Sequence, residues 1–522
     1  MSDELMELPE GWEWSNIGTI AHSMQNGIYK AAQFYNDSGI ACLRMYNIEN
    51  GEIVWKEIKR MILTDQEVEQ YKLMPGDILI NRVNSRELVG KAASIPVDLE
   101  TCIYESKNIR LRLFQELTES KFVSSWFRIY SQKYFNQNAQ QTVGMASINQ
   151  EQIGLMPIPL PPLNEQKRIV AAIETLRERS QKARSALSAI PELCDKFRQS
   201  VLAAAFRGDL TADWREQNPD VEPASALLER IRRDRRKQWE QIEIERLKAR
   251  GKILADSKWK EKYEEPKSVR ELDLLDIPPT WCWAKWEQVG LCQNGRAFPS
   301  KEYQAEGVKL LRPGNLHISG KVEWNESNTK FMSEAWATEY PDYLIGSNEL
   351  IINLTAQSLA DEFLGRVCLT GENEICLLNQ RIARLTPVGI STQFLLWLFK
   401  SKLFRHYVDD LNTGSLIQHM FTSQIDEFYF PLPSLEEQEA IVQEIEVRIK
   451  SVESMKRSSK EIFEIIPGLD RSTLAKAFRG ELVEQDPNDE PASVLLDRIR
   501  VDREQQMQGK IKKLGKKKRT GD

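Results

Sequence analysis

Pro159-Leu160-Pro161-Pro162-Leu163-Asn164-Glu165-Gln166, followed by Ile169-Val170, returns as Pro431-Leu432-Pro433-Ser434-Leu435-Glu436-Glu437-Gln438, followed by Ile441-Val442. At the same offset Ala205-Phe206-Arg207-Gly208-Asp209-Leu210 returns as Ala477-Phe478-Arg479-Gly480-Glu481-Leu482. Slightly closer together, Glu222-Pro223-Ala224-Ser225 with Leu227-Leu228 and Arg230-Ile231-Arg232 returns as Glu490-Pro491-Ala492-Ser493 with Leu495-Leu496 and Arg498-Ile499-Arg500. Three ordered blocks at nearly one offset mark an internal duplication, and that duplication decides the fold.

Upstream of these blocks the halves correspond only at landmarks. Trp12 and Trp14 match Trp281 and Trp283; Leu43-Arg44 with Asn47 matches Leu311-Arg312 with Asn315. Asp77-Ile78-Leu79-Ile80-Asn81 matches Glu349-Leu350-Ile351-Ile352-Asn353, and Gly90-Lys91 matches Gly365-Arg366. Between landmarks almost nothing is shared. A common framework suits a common partner, and divergent surfaces suit different targets.

Residues 1–160 show short apolar runs broken by Asn50-Gly51, Pro75-Gly76 and Asp37-Ser38-Gly39. Ile78–Ile80 and Ile109–Leu113 read as strands, the second half-buried by its alternation. Glu119–Tyr134 reads as a helix with Phe122, Val123, Trp126 and Phe127 on one face, and Thr392–Val408 as its counterpart. After each globule a long helix is expected, with Asn164 as N-cap of the first and a Ser434–Glu437 capping box on the second. Ile169, Ile173, Leu176, Leu187, Ile190, Phe197 and Val201 trace a heptad seam, rougher in the copy (Ile441, Ile445, Val452, Met455, Ile462, Ile466, Leu469). Pro191 and Pro467 are expected to kink or interrupt these helices.

The expected architecture is α+β: two tandem α/β globules and long helices pairing as an antiparallel coiled coil with pseudo-two-fold symmetry. Its segments are a first globule, 1–160; a central helical region, 161–236; a charged helical linker, 237–270; a second globule, 271–433; a C-terminal helical region, 434–509; and a basic tail, 510–522.

With 522 residues, roughly 150 per domain gives about three or four domains. Hydrophobic residues are 41% and charged residues 28%, at a mean hydropathy of −0.48, so a soluble globular protein is expected. No apolar run approaches the ~18–20 residues of a membrane span, and the acidic start Met1-Ser2-Asp3-Glu4 is unlike a signal peptide. Seven cysteines without a Cys-x-x-Cys fit a reduced cytoplasm rather than a disulfide framework. The balance of 71 basic to 77 acidic residues does not advertise nucleic acid, but binding needs only a basic face.

Catalytic motifs are missing. There is no GxxxxGK[ST], no HExxH and no Cys/His cluster. The (Asn/Asp)-Pro-Pro-aromatic tetrapeptide with which an amino methyltransferase holds its target is also missing. Asp361-Glu362 lacks a following lysine, which leaves a nuclease poorly supported. The chain is expected to be non-catalytic, without a metal or cofactor of its own.

The remaining polar residues are types that read base edges: Arg and Lys pair with guanine, Asn and Gln with adenine. In the first globule these are Gln25-Asn26, Arg44, Asn47, Asn81-Arg82, Asn84-Ser85-Arg86, Lys91 and Lys107-Asn108. In the second they are Gln293-Asn294, Arg296, Arg312, Asn315, Asn353, Gln357-Ser358, Arg366, Asn379-Gln380-Arg381 and Asn412-Thr413. Each alone is more often a turn former or surface group than a base reader; only recurrence in both halves lifts the set. The DNA-contact candidates are Arg44, Asn47, Arg82, Asn84, Arg86, Lys91, Lys107, Arg296, Arg312, Asn315, Asn353, Gln357, Arg366 and Arg381.

Two divergent globules, each followed by Pro-Leu-Pro-x-Leu-x-Glu-Gln and a helix ending in Ala-Phe-Arg-Gly-(Asp/Glu)-Leu, resemble a type I restriction-modification specificity subunit over nearly the whole chain. The resemblance implies two target-recognition domains reading a bipartite duplex DNA target, spaced by the family's conserved helices. It implies docking to two methyltransferase subunits, which methylate adenine with S-adenosylmethionine, and to two restriction subunits that use ATP and Mg. The family has no fixed base-reading motif, so it assigns no individual contact. The charged insert and the Lys-rich tail depart from the pattern. Two readers on one DNA face sit about 10.5 bp apart; at ~3–4 bp each, roughly 6–8 unread pairs lie between them. The rival reading is a coiled-coil scaffold that joins proteins and binds no DNA.

Overall fold

In the computed structural model, which describes residues 6–114, 116–142, 145–249, 258–266, 276–357, 362–411 and 418–519, the run Ile78–Asn81 is a strand with apolar neighbours on both faces. Ile78 and Ile80 join a core with Ile109, Leu111, Phe122 and Phe127; Leu79 points the other way, toward Ala41, Leu43, Cys102 and Tyr104. A strand covered on both faces needs an unbroken apolar run rather than alternation. The first globule is therefore layered. Helix Ser120–Asn138 packs on an antiparallel sheet ordered Ala92–Ser94, Ile78–Asn81, Asn108–Leu113, Ala21–Asn26. Behind lies a second sheet, where Cys102–Tyr104 pairs parallel with Ile40–Leu43.

That layering corrects the half-exposed reading of Asn108–Leu113. Arg110 is buried and Arg112 half-buried on the face away from the helix. Arg110 donates to the Lys72 carbonyl at 2.7 Å and to Gln25 at 2.5 Å; Arg112 makes two 2.6 Å bonds to fully buried Asp77.

The second globule repeats the plan with different residues. Its sheet runs Gly290–Asn294, Ile382–Pro387, Leu350–Asn353, Val367–Leu369, and Val308–Leu311 pairs parallel with Cys376–Leu378 behind it. The expected helix Thr392–Val408 is two, Thr392–Phe399 and Lys402–Asp410. The buried Ser401 hydroxyl donates to the Leu398 carbonyl at 2.6 Å, and the chain turns there.

The compact units cut across the duplication: one is Met1–Ser188 with Lys460–Asp522, the other Ala189–Ser459. Helices Leu163–Arg207 and Leu435–Ala477 each pass from one unit to the other. At 1.5 Å per residue each is ~65 Å long. Pro191 and Pro467 interrupt neither helix; both sit on exposed turns, where water can serve the orphaned carbonyl. In the first unit the helical segments are antiparallel, with Arg168 2.7 Å from Asp489 and Arg184 3.4 Å from Asp470. In the second, Asp195 meets Lys456 at 2.5 Å.

The first globule is capped by the second copy of the repeated motif. Phe478 packs 5.0 Å from Phe122 and 4.9 Å from Trp126 between ring centroids, and the Ala492 amide donates to the Gly11 carbonyl. The second globule is capped by the first copy: Phe206 packs 5.5 Å from Phe394, and the Ala224 amide donates to the Thr280 carbonyl. Arg503 and Arg235 then donate to the carbonyls of Ala21 and Gly290, the residues that cap the C-termini of the short helices Ile17–Ile20 and Trp286–Val289. Helix Ala224–Ala249 runs unbroken past residue 236, and Trp259 and Tyr263 of the charged insert stack back on its Trp239. Helix Ala492–Arg519 runs into the basic tail, whose residues 520–522 lie outside the described residues.

The repeated Glu-Gln is a clamp. Gln166 accepts from the Glu119 amide at 2.9 Å and donates to the Pro161 carbonyl; Gln438 does the same with Ser391 and Pro433. Glu165 accepts the Trp12 indole at 3.0 Å, and Glu437 the Trp281 indole at 2.8 Å. Glu437 therefore turns away from the expected reciprocal capping box, although Ser434 still accepts the Glu437 amide. Asn164 is no N-cap, because the helix already begins at Leu163; its side chain donates to Asp489 instead.

The two glutamates differ in what completes them. Glu437 also accepts from Thr211, at 2.7 Å, and from Arg215. The other copy is four residues shorter here: Glu484-Gln485 and Pro487 match Glu216-Gln217 and Pro219, which sets Val483 at the Arg215 position and leaves Thr211 without a counterpart. Glu165 therefore keeps a buried oxygen without a partner, and burial raises its pKa. A carboxyl that protonates more easily folded than unfolded costs stability as pH rises from its ordinary value through the raised one. Glu165→Gln is expected to stabilise the first unit at neutral pH and flatten that slope. Glu437→Gln is expected to cost about 1–3 kcal/mol by weakening charge-assisted bonds. Urea titrations of both variants, from about pH 4 to about pH 8, should show the opposite signs.

Candidate nucleic-acid interface

In the first globule four loops meet beyond the strand ends. Gly27 lies so close to the loop at 105–108 that a Cβ would stand 2.2 Å from the Glu105 carbonyl oxygen, which only glycine permits. The Ser106 amide donates to Ile28, the Arg82 amide to Lys107, and the Met45 amide to the Glu105 carboxylate at 3.1 Å. This knits residues 26–29, 44–47, 81–82 and 105–108 together. On the cluster stand Arg44, lying over Tyr46 at 5.6 Å; Arg82, tied to the Ser106 carbonyl at 3.3 Å; and exposed Lys107.

Two aromatic tips there were not among the sequence candidates. Tyr29 is 82% and Tyr46 69% exposed. The signal was available: a tyrosine inside a polar turn has nothing apolar to serve, and aromatic faces stack on bases.

The second globule builds the same cluster. A Cβ on Gly295 would fall 1.9 Å from the Asn379 carbonyl oxygen; the Arg296 amide donates to Leu378, and the Leu354 amide to Arg381. Arg296 lies over the Tyr340 ring at 3.7 Å, and Arg312 over Tyr303 at 5.9 Å while bonding the Asn328 carbonyl. Arg381 is exposed, at a left-handed φ of 72°.

Other candidates are consumed by the scaffold. Asn47 is buried, its amide bonding Val54 and Lys56 while its oxygen takes the Arg44 amide; Asn315 repeats this with Glu323 and Arg312. Buried Asn353 bonds the Thr355 and Phe363 carbonyls, and Asn84 donates to Asn81, which donates to Asn108. These four hold turns and keep no open amide edge for a base. Gln25 and Gln293 each take an arginine, Arg110 and Arg384.

Lys91 and Arg366 stand at the edge of the loops: the Asn81 amide donates to the Lys91 carbonyl at 2.7 Å and the Asn353 amide to the Arg366 carbonyl at 2.9 Å. Each follows a glycine packed on the globule's helices, Gly90 on Phe135 and Gly365 on Val408 and Phe404. Arg86 and Gln357 are exposed. Ser358, Asp361, Asn412 and Thr413 lie outside the described residues.

Tandem α/β globules with matched loop clusters, joined by long repeated helices, define a duplicated specificity architecture. The family model for the "Type I restriction modification DNA specificity domain" matches residues 9–187 and 280–464, and the chain belongs to that family. The StySPI specificity subunit of Salmonella potsdam is 31% identical over 231 residues, which cover 43% of this chain and 50% of that protein. At that identity the match spans about half of its length. The EcoBI specificity subunit of Escherichia coli is 21% identical over 511 residues, 96% of this chain and 94% of the relative. The crystal structure of the HsdS subunit from Thermoanaerobacter tengcongensis shares the fold: TM-score 0.58, 19% identity, covering 92% of this chain and 100% of that one.

Proposed function

We infer that the chain is the DNA-specificity subunit of a type I restriction-modification assembly, and that each loop cluster reads one part of a bipartite duplex target. The observation that carries this reading is the recurrence of one cluster, built on unlike residues, in both family-matched globules. Two readers with one frame and different tips suit two different half-sites. Base contact falls to Arg44, Arg82, Lys107, Arg296, Arg312 and Arg381, with Tyr29 and Tyr46 as stacking surfaces. Methyl transfer from S-adenosylmethionine and ATP- and Mg-dependent cleavage belong to partner subunits.

Partner docking falls to the long helices. Leu193 and Phe197 are 59% and 50% exposed on the first, and their equivalents Ile465 and Leu469 are 66% and 57% exposed on the second. An exposed apolar pair that recurs is what one partner bound twice requires.

Methylation-aware sequencing of the host genome with and without this gene tests the reading: one bipartite motif should lose its adenine mark. An unchanged methylome sinks it. On purified assembly, Arg82→Ala is expected to cost about 1–3 kcal/mol and relax one position if Arg82 reads a base. If it holds a phosphate, the salt slope should fall by about 0.9 for every sequence alike. Arg86→Ala provides the exposed comparison. Unchanged affinity and slope in the double variant would exclude this turn.

A further inference from the structure

In the second unit a cleft of about 770 Å³ opens between the long helix and the globule, lined by Arg198, Arg366, Lys400 and Lys402 among others. Two of its three carboxylates are neutralised locally, Asp195 by Lys456 at 2.5 Å and Glu192 by Lys196 at 2.7 Å; Glu362 remains. Arg198 and Lys402 have no carboxylate partner among the described residues. Burial and then the Arg198 charge pull the Lys400 pKa down to about 8, against the opposing pull of Glu453.

The first unit has the equivalent cleft, lined by Arg128, Arg177, Arg184 and Arg471. Arg177 is paired with Glu52 and Arg184 with Asp470, which leaves Arg128 and Arg471 opposite Glu49. Arg128 occupies the position of Lys400, and both reach under a left-handed glycine. A Cβ on Gly51 would meet Arg128 at 3.2 Å, and one on Gly320 would meet Lys400 at 2.8 Å. Holding the turn does not account for both cations, because in the first unit the Asn50 carbonyl is bonded by Arg177 instead.

One hairpin links cleft to loop cluster in each half. The Arg312–Asn315 turn continues to Gly320, and the Arg44–Asn47 turn to Gly51. Four residues in the first half and five in the second, at about 3.3 Å each, span roughly 13–16 Å, which is about four to five base pairs of duplex at 3.4 Å per pair.

We propose that these paired clefts bind the phosphodiester backbone of the target duplex, about four to five base pairs from the bases that the loops read. The proposal rests on the DNA-specificity reading. It adds positioning contacts that carry no sequence information.

The test uses the assembled complex with Arg198→Ala and Lys402→Ala combined, both outside the globule core. The salt slope of cognate binding should fall by about 1.8, two phosphates at about 0.9 each. The ratio of cognate to single-mismatch affinity should not move, and ethylation-interference marks flanking one half-site should vanish. Unchanged slope and marks overturn the proposal. So does loss of partner co-purification with the slope intact, which would make the cleft a protein-docking site. If the unaltered assembly shows no salt-dependent retention on duplex, the DNA-specificity reading itself fails, and the two failures are told apart.

Discussion

Phe478→Asp should unfold the first unit and leave the second standing. The ring is fully buried against Phe122 and Trp126, in the core that also holds Trp12, Ile17, Leu495 and Ile499. Deleting a buried phenylalanine side chain costs about 3–5 kcal/mol. An unpaired carboxylate in its place adds several more, against a total of about 5–15 kcal/mol for a typical domain. Phe206→Asp should do the same to the second unit through Phe394. Both phenylalanines are buried inside the subunit, so any loss of partner follows unfolding. Limited proteolysis should cut Phe478→Asp within residues 6–188 and 460–499 while 189–459 resists. Phe478→Leu, apolar and near in size, should cost under about 2 kcal/mol. A Phe478→Asp protein with intact near-ultraviolet dichroism and native protease resistance would show that the cap is not part of the core.

What could be read in advance follows the physics of each signal. Repeats survive in sequence wherever a residue does one indispensable job, as Glu165, Gln166 and Phe206 do, so the duplication and its helices were legible. Layering was not. The arginines of Asn108–Leu113 alternate with apolar residues like a solvent-facing strand, and nothing local reveals that a second sheet and Asp77 wait on that side. The asparagines of the base-reading set misled in a similar way. Asn47 and Asn315 recur because a turn needs their side chains, so recurrence selected scaffold and reader alike. Tyr29 stands on a loop whose course is set by the contact between Gly27 and Glu105, a proximity no linear pattern carries. The crossing of caps between halves was also hidden, since it depends on where a ~65 Å helix ends.

That crossing sets the expected behaviour of a fragment comprising residues 1–235. In the full chain the first globule is capped by residues from 460–522, which the fragment lacks, but the fragment ends in a cap of the same build: Phe206, Ala224, Leu227 and Ile231. Two fragments can exchange caps across a two-fold axis, an isologous and self-complementary arrangement. Each cap buried returns about 25 cal/mol per Å² of apolar area that a monomer would expose. The exchange also repairs a defect. Thr211 and Arg215 of one copy would meet Glu165 of the other, where the full chain offers only Val483 and leaves a buried oxygen unsatisfied. At the position of Lys456, Arg184 would face Asp195 and keep an ion pair across the helices. Sedimentation should therefore give a dimer. Glu165→Gln, stabilising in the full chain, should destabilise that dimer by about 1–3 kcal/mol as it weakens a charge-assisted bond. With its methyltransferase partner the dimer should mark a symmetric site, the first half-site followed by a gap and its inverted repeat. A folded fragment that stays monomeric with partner present, or a Glu165→Gln effect of unchanged sign, would show that the caps are not interchangeable.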